Sequence, residues 1–113
     1  MVARDQSPDA NSPTSPRGEP ESRVAFFRAQ IKGRVQGVGF RFWTVDVAES
    51  LGVNGWVRNC WDGSVEVEAE GAREVLEEFL KRLREGPSLA HVRDVEAEWG
   101  ERAARYREFT ISH

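Results

Sequence analysis

The sequence contains one cysteine, Cys60, and two histidines, His91 and His113, in 113 residues. A single thiol cannot close an intramolecular disulfide and cannot furnish a multi-cysteine metal site. Neither histidine stands among other candidate ligands or beside a nucleophile pattern, so both are expected at the surface. No Ser/His/Asp or Cys/His constellation can be assembled. Basic residues do not predominate either: 16 Lys and Arg face 19 Asp and Glu, a net charge of −3. That balance argues against a nucleic-acid partner. No apolar run is long enough to cross a membrane, and no apolar segment near Met1 has the character of a secretory signal. These absences together point to a reduced, cytoplasmic protein.

Proline is scarce outside the first residues. Pro8, Pro13, Pro16 and Pro20 all precede Ser22, in a stretch with little apolar content. Such a segment cannot bury enough surface to offset its ordering entropy, so residues 1–22 are expected to form a disordered tail. Asp5, Asp9, Glu19 and Glu21 argue against a transit peptide. Residues 23–113 remain for one small domain, which is workable without staples.

Within that domain, Phe27, Ala29 and Ile31 alternate with Arg28, Gln30 and Lys32, the period of a half-buried strand. From Phe40 to Leu51, apolar residues recur at helical spacing, and Gly52 closes the run. Val53–Asn59 reads as a second strand. Val65, Val67 and Ala69 alternate with Glu66, Glu68 and Glu70 in a third, and Asp62-Gly63 between them is a hairpin turn. The spacing predicts a second helix over 72–85, with acids early and bases late as the helix dipole prefers. Val92 and Val95 mark a fourth strand of weaker pattern, Gly100–Arg105 reads as a connection, and Tyr106–Ser112 as a last strand. The order fits an α+β, ferredoxin-like (split βαβ) sandwich, an antiparallel sheet with two helices on one face. The glutamates are expected on a solvated strand face, and Trp43, Trp56, Trp61 and Trp99 in core or edge packing.

One stretch carries chemistry: Gly33-Arg34-Val35-Gln36-Gly37-Val38-Gly39-Phe40-Arg41, between a strand and a helix. Gly37 and Gly39 allow a tight turn with bare N–H groups, and the helix that follows adds its positive end. Arg41, in the first helical turn, can grip a phosphate or carboxylate through two bonds. The loop is not a dinucleotide fingerprint, because Phe42 occupies the third glycine position, and it has no Gly-Lys-Ser/Thr of a Walker A loop. A turn that needs glycine for shape alone is the competing reading. Asn59, ending strand two, has both a donor and an acceptor with which to orient a water, although asparagine also commonly begins turns.

The two motifs, Gly33–Arg41 and Gly55-Trp56-Val57-Arg58-Asn59 with Asp62-Gly63 and Val65-Glu66, resemble the signatures of the acylphosphatases. The resemblance runs from about Phe26 to the C-terminus. It implies hydrolysis of a small acyl phosphate to a carboxylate and phosphate by a monomeric cytoplasmic enzyme without metal or cofactor. By motif position it implies that Arg41 binds the phosphate and Asn59 positions the attacking water. The backbone of Gln36, Gly37, Val38, Gly39 and Phe40 would complete the cradle, with Thr44 in support. Cys60-Trp61 is bulkier than that turn usually carries. Local chemistry agrees with this reading, because a carboxylate leaving group departs without a general acid, and none is readable. The competing function is a phosphate- or acyl-phosphate-binding module without turnover, which would have no use for Asn59. A ferredoxin-like RNA binder is disfavoured by the charge.

Overall fold

Alternation and helical spacing set the local structure, and a computed structural model, which describes residues 23–113, assembles it in seven elements. These are β1 (Arg23–Arg34), α1 (Phe40–Leu51), β2 (Asn54–Asn59), β3 (Val65–Gly71), α2 (Arg73–Glu85), β4 (His91–Ala103) and β5 (Phe109–Ile111). The expected tail, 1–22, lies outside the described residues. The sheet runs β4-β1-β3-β2-β5. β1 is antiparallel to β3 and β4, and β2 is antiparallel to β3. α1 packs on β2 and β5, α2 packs on β1, β3 and β4, and the helices touch each other, so both cover the same face. The α+β, ferredoxin-like sandwich is therefore the fold.

The period of two decides what faces the helices. Phe27, Ala29 and Ile31 of β1, Val57 of β2, and Val65, Val67 and Ala69 of β3 are buried on that side. Phe40, Thr44, Val47 and Ala48 from α1 and Leu76, Phe79, Leu80 and Leu83 from α2 close over them. Phe79 is central, its ring 6.0 Å from that of Phe27 and 5.7 Å from that of Phe109. Each buried Val, Leu, Ile or Phe among them contributes roughly 1.5–3 kcal/mol relative to exposure.

Several expectations need correction. β4 does not stop before Gly100 but pairs with β1 as far as Arg23↔Ala103. Gly100 does not break the strand because the Phe26 ring lies over it; a side-chain carbon there would meet that ring at 2.7 Å. The last strand is only Phe109–Ile111, and it runs parallel to β2, so the sheet is mixed rather than wholly antiparallel. The cause is topological. β4 ends at one edge of the sheet, and residues 104–108 carry the chain to the opposite edge before β5 starts, so β5 shares the direction of β2.

Trp43, Trp56 and Trp99 are half-buried, as packing residues should be, but Trp61 on the β2–β3 turn is fully exposed. The glutamates depart most from expectation. Glu68 and Glu70 are buried at 1% and 2% exposure on the sheet face opposite the helices. Glu68 Oε1 accepts from Arg28 Nε at 2.9 Å and Nη2 at 2.6 Å, while its Oε2 accepts from Arg102 Nη2 at 2.7 Å and from the Tyr106 hydroxyl. Glu70 Oε2 accepts from the N–H groups of Arg105 and Tyr106, both at 2.8 Å. The two carboxylates thus hold the crossing segment 104–108 on the sheet. Alternation identified a polar face but carried no information about what would lie over it.

Candidate active site

The register of three strands brings the two motifs to one end of the sheet. Val65, at the start of β3, pairs with Ile31 on one side and Asn59 on the other. The ends of β1 and β2 are therefore two strand spacings apart, roughly 10 Å. The glycine loop leaves β1 at this end, and α1 begins there. Asn59 shares its parity with buried Gly55 and Val57, so its side chain leaves the sheet on the helix side, toward the layer that α1 starts.

The loop itself is built on two buried anchors, Val35 at 1% and Phe40 at 2% exposure. Between them Gly37 and Gly39 have φ values of 76° and 78°, a region that a side chain makes costly. No atom lies within 4 Å of where a β-carbon would stand at either glycine. Glycine is needed there for backbone shape, and the space a side chain would occupy is left open in front of the loop. Gly39 is also the N-cap of α1 and provides no side-chain hydrogen bond to the first turn.

Charge at this helix start runs against the usual preference. A helix N-terminus favours acids, and α2 has Glu74 in its first turn and Arg82 and Arg84 in its last. α1 has no acid in its first turn and carries Arg41 there. Arg41 is half-buried and makes no hydrogen bond or ion pair with any of the described residues. A guanidinium beside free helical N–H groups is an arrangement that an anion would relieve. Thr44 is buried, and its hydroxyl donates to the Phe40 carbonyl at 2.8 Å, which ties down the first turn of α1.

The turn after Asn59 is closed by Gly63 N–H donating to Cys60 O at 3.1 Å and Cys60 N–H donating to Ser64 O at 2.9 Å. Asp62 Oδ1 accepts from the Ser64 N–H at 3.0 Å and hydroxyl at 2.6 Å, and these two bonds, the hydroxyl first, hold the Asp62 carboxyl below its ordinary pKa. The Gln36 side chain reaches across from the glycine loop and donates to Cys60 O and Ser64 O, both at 2.8 Å. Gln36 was singled out in the sequence for its backbone alone, and no sequence signal pointed to this use of its amide. His91 and His113 are exposed as expected. Among the described residues no group of three or more His, Cys, Asp or Glu could hold a metal ion.

Comparison with known proteins falls on the same residues. A family model described as "Acylphosphatase" matches residues 27–111. An acylphosphatase of Thermus thermophilus is 53% identical over 75 residues, covering 66% of this chain and 85% of that protein. One from Trichormus variabilis is 48% identical over 86 residues, covering 76% of this chain and 85% of its own length. In three dimensions, the crystal structure of acylphosphatase from Bacillus subtilis superimposes with a TM-score of 0.76 at 32% identity, over 79% of this chain and 99% of that one.

Proposed function

The chain belongs to the acylphosphatase family and is a hydrolase of acyl phosphates, and on that premise we propose how its residues share the work. Arg41 and the N–H groups of Gln36–Phe40 hold the phosphate, and Asn59 aims the attacking water at phosphorus. The observation that carries this reading is the inverted charge at the start of α1: an arginine without a partner among the described residues, in a first turn without an acid, directly after a glycine loop whose Gly37 and Gly39 have open space where side chains would stand.

The reaction asks little else of the protein. The leaving group is a carboxylate, which departs unprotonated, so no general acid is required. Phosphoryl transfer through a loose transition state depends on positioning and on charge at the non-bridging oxygens. Arg41 and the loop N–H groups supply that charge, already in place before the reaction begins. Asn59 accepts a hydrogen bond from water at Oδ1, and the proton released on attack passes to a phosphate oxygen. No step calls for a metal. No helix of the described residues is long and apolar enough to cross a membrane, and we read the protein as a cytoplasmic monomer acting on small acyl phosphates without a nucleic-acid partner.

The test is hydrolysis of benzoyl phosphate with a chelator present. Wild type turns over at an undiminished rate. Arg41→Lys loses roughly 10²–10³-fold in kcat/KM, because a point charge does not replace the two-pronged guanidinium. Asn59→Ala loses on the order of 10²-fold in kcat with little change in KM, since it orients water rather than substrate. Comparable losses in kcat and in substrate binding for Asn59→Ala would remove the water-positioning role.

A further inference from the structure

We propose that the Gln36 side chain is a positioning residue: it sets the distance between the phosphate cradle and Asn59, and so acts on catalysis through Asn59. The inference rests on the active-site reading above and assigns a role that this reading does not contain.

Gln36 Nε2 has two hydrogens, and both are used, to Cys60 O and to Ser64 O at 2.8 Å each. Each acceptor already receives one backbone N–H within the turn, from Gly63 and from Cys60, so the glutamine takes the second lone pair of both. Because both partners are carbonyl oxygens, only the NH2 end can face them, and the amide has one orientation. The contact is therefore specific to the closed form of the turn. If the turn opened, Cys60 O and Ser64 O would separate and the pair of bonds would be lost.

The position of this contact gives it its role. Cys60 directly follows Asn59, at the end of β2. Gln36 lies between the buried anchor Val35 and Gly37, the first of the two exposed glycines. The loop is held from beneath by Val35 and Phe40, but glycines give it lateral freedom, which burial of its ends does not remove. Among the described residues, the Gln36 amide is the one side chain that hydrogen-bonds the loop sideways to the turn. A displacement of about 1 Å between a bound phosphate and an oriented water is enough to cost on the order of 10²-fold in rate. The Gln36 side chain touches neither water nor phosphate in this scheme; it fixes how far apart their holders stand.

A double-mutant cycle separates this role from a general structural one. Benzoyl phosphate kinetics and inhibition by inorganic phosphate are measured for wild type, Gln36→Met, Asn59→Ala and the double variant, with thermal unfolding of each. Methionine keeps the length and bulk of the side chain and removes both donors. Gln36→Met is expected to lower kcat about tenfold or more while KM and phosphate inhibition stay within about twofold. In the Asn59→Ala background the same change is expected to lower kcat by less than about twofold, because the residue acts through Asn59. Losses that multiply across the two sites, or a matching loss of phosphate inhibition, would overturn the proposal while leaving Arg41 and Asn59 in their roles. An unchanged kcat for Gln36→Met in a folded protein would overturn it as well. If Asn59→Ala alone keeps full activity, the active-site reading fails first.

Discussion

Glu68 carries a charge at 1% exposure, and the reasons are legible around it. Burial by itself pushes its pKa up, but hydrogen bonds from Tyr106, Arg28 and Arg102 more than offset this and hold the carboxyl at about 2, against an ordinary 4.5. Since the folded value lies below the unfolded one, the ionised network stabilises the fold above pH 4.5, and that contribution is lost as the pH falls toward 2. The loss is on the order of 3 kcal/mol. Urea unfolding measured across that range is expected to show the decline in wild type and to lose most of it in Glu68→Gln. At neutral pH the same variant is expected to be destabilised by roughly 3 kcal/mol, because Arg102, which stacks 3.9 Å above the Phe26 ring, loses the nearer of its two carboxylates, at 2.7 Å, and keeps only Glu70 at 3.7 Å. A surface glutamate would produce neither effect, so unaltered acid stability in Glu68→Gln would contradict the network.

Among the elements, β2 bears the tightest constraint. Gly55 has φ 147° and pairs with Ala69, and a β-carbon on it would lie 1.9 Å from the Glu68 carbonyl oxygen. The clash is with backbone, which cannot turn aside as a side chain can. Gly55→Ala is therefore expected to cost more than about 2 kcal/mol, seen as a fall in the urea midpoint. Because β2 ends in Asn59, it should also lower activity in whatever fraction remains folded. A midpoint within error of wild type would mean that the two strands separate more easily than this register allows. α1 shows the complementary trade. Its core face follows helical periodicity without fault, while its first turn has no acid, no side-chain cap and an arginine, each locally unfavourable. Under the proposed assignment these local rules are broken for a substrate phosphate, the partner the turn would take.

At the scale of the whole molecule, the crossing segment 104–108 joins one edge of the sheet to the other. The Tyr106 hydroxyl accepts from Trp56 Nε1 at 3.0 Å and donates to Glu68, the N–H groups of Arg105 and Tyr106 donate to Glu70, and Ser112 N–H donates to Val57 O at 2.8 Å beyond β5. Ending the chain after Ala103 would take the Tyr106 hydroxyl from Glu68 and both backbone N–H donors from Glu70, and expose the Phe79 ring that Phe109 covers. Such a chain is expected to be unfolded by circular dichroism, although it keeps Arg41, Asn59 and the glycine loop; a folded, active product would refute this.

Periodicity along the chain was enough to determine both helices, the core face of β1 to β3, the Asp62-Gly63 turn and the ferredoxin-like order, because each depends on neighbours a few residues away. The candidate site of glycine loop, Arg41 and Asn59 could be proposed from the sequence for a related reason: the motifs that carry it are contiguous. What only the tertiary structure decided involves partners far apart in the chain. The length of β4 depends on Phe26 covering Gly100, and the direction of β5 on where the crossing segment lands. The burial of Glu68 depends on Arg28, Arg102 and Tyr106, and the tether of the glycine loop on Gln36 meeting Cys60 and Ser64. A hydrophobic alternation records which face a side chain takes, since that is fixed by the local backbone. Which residue stands opposite it is fixed by how the strands come together, and no local pattern contains that.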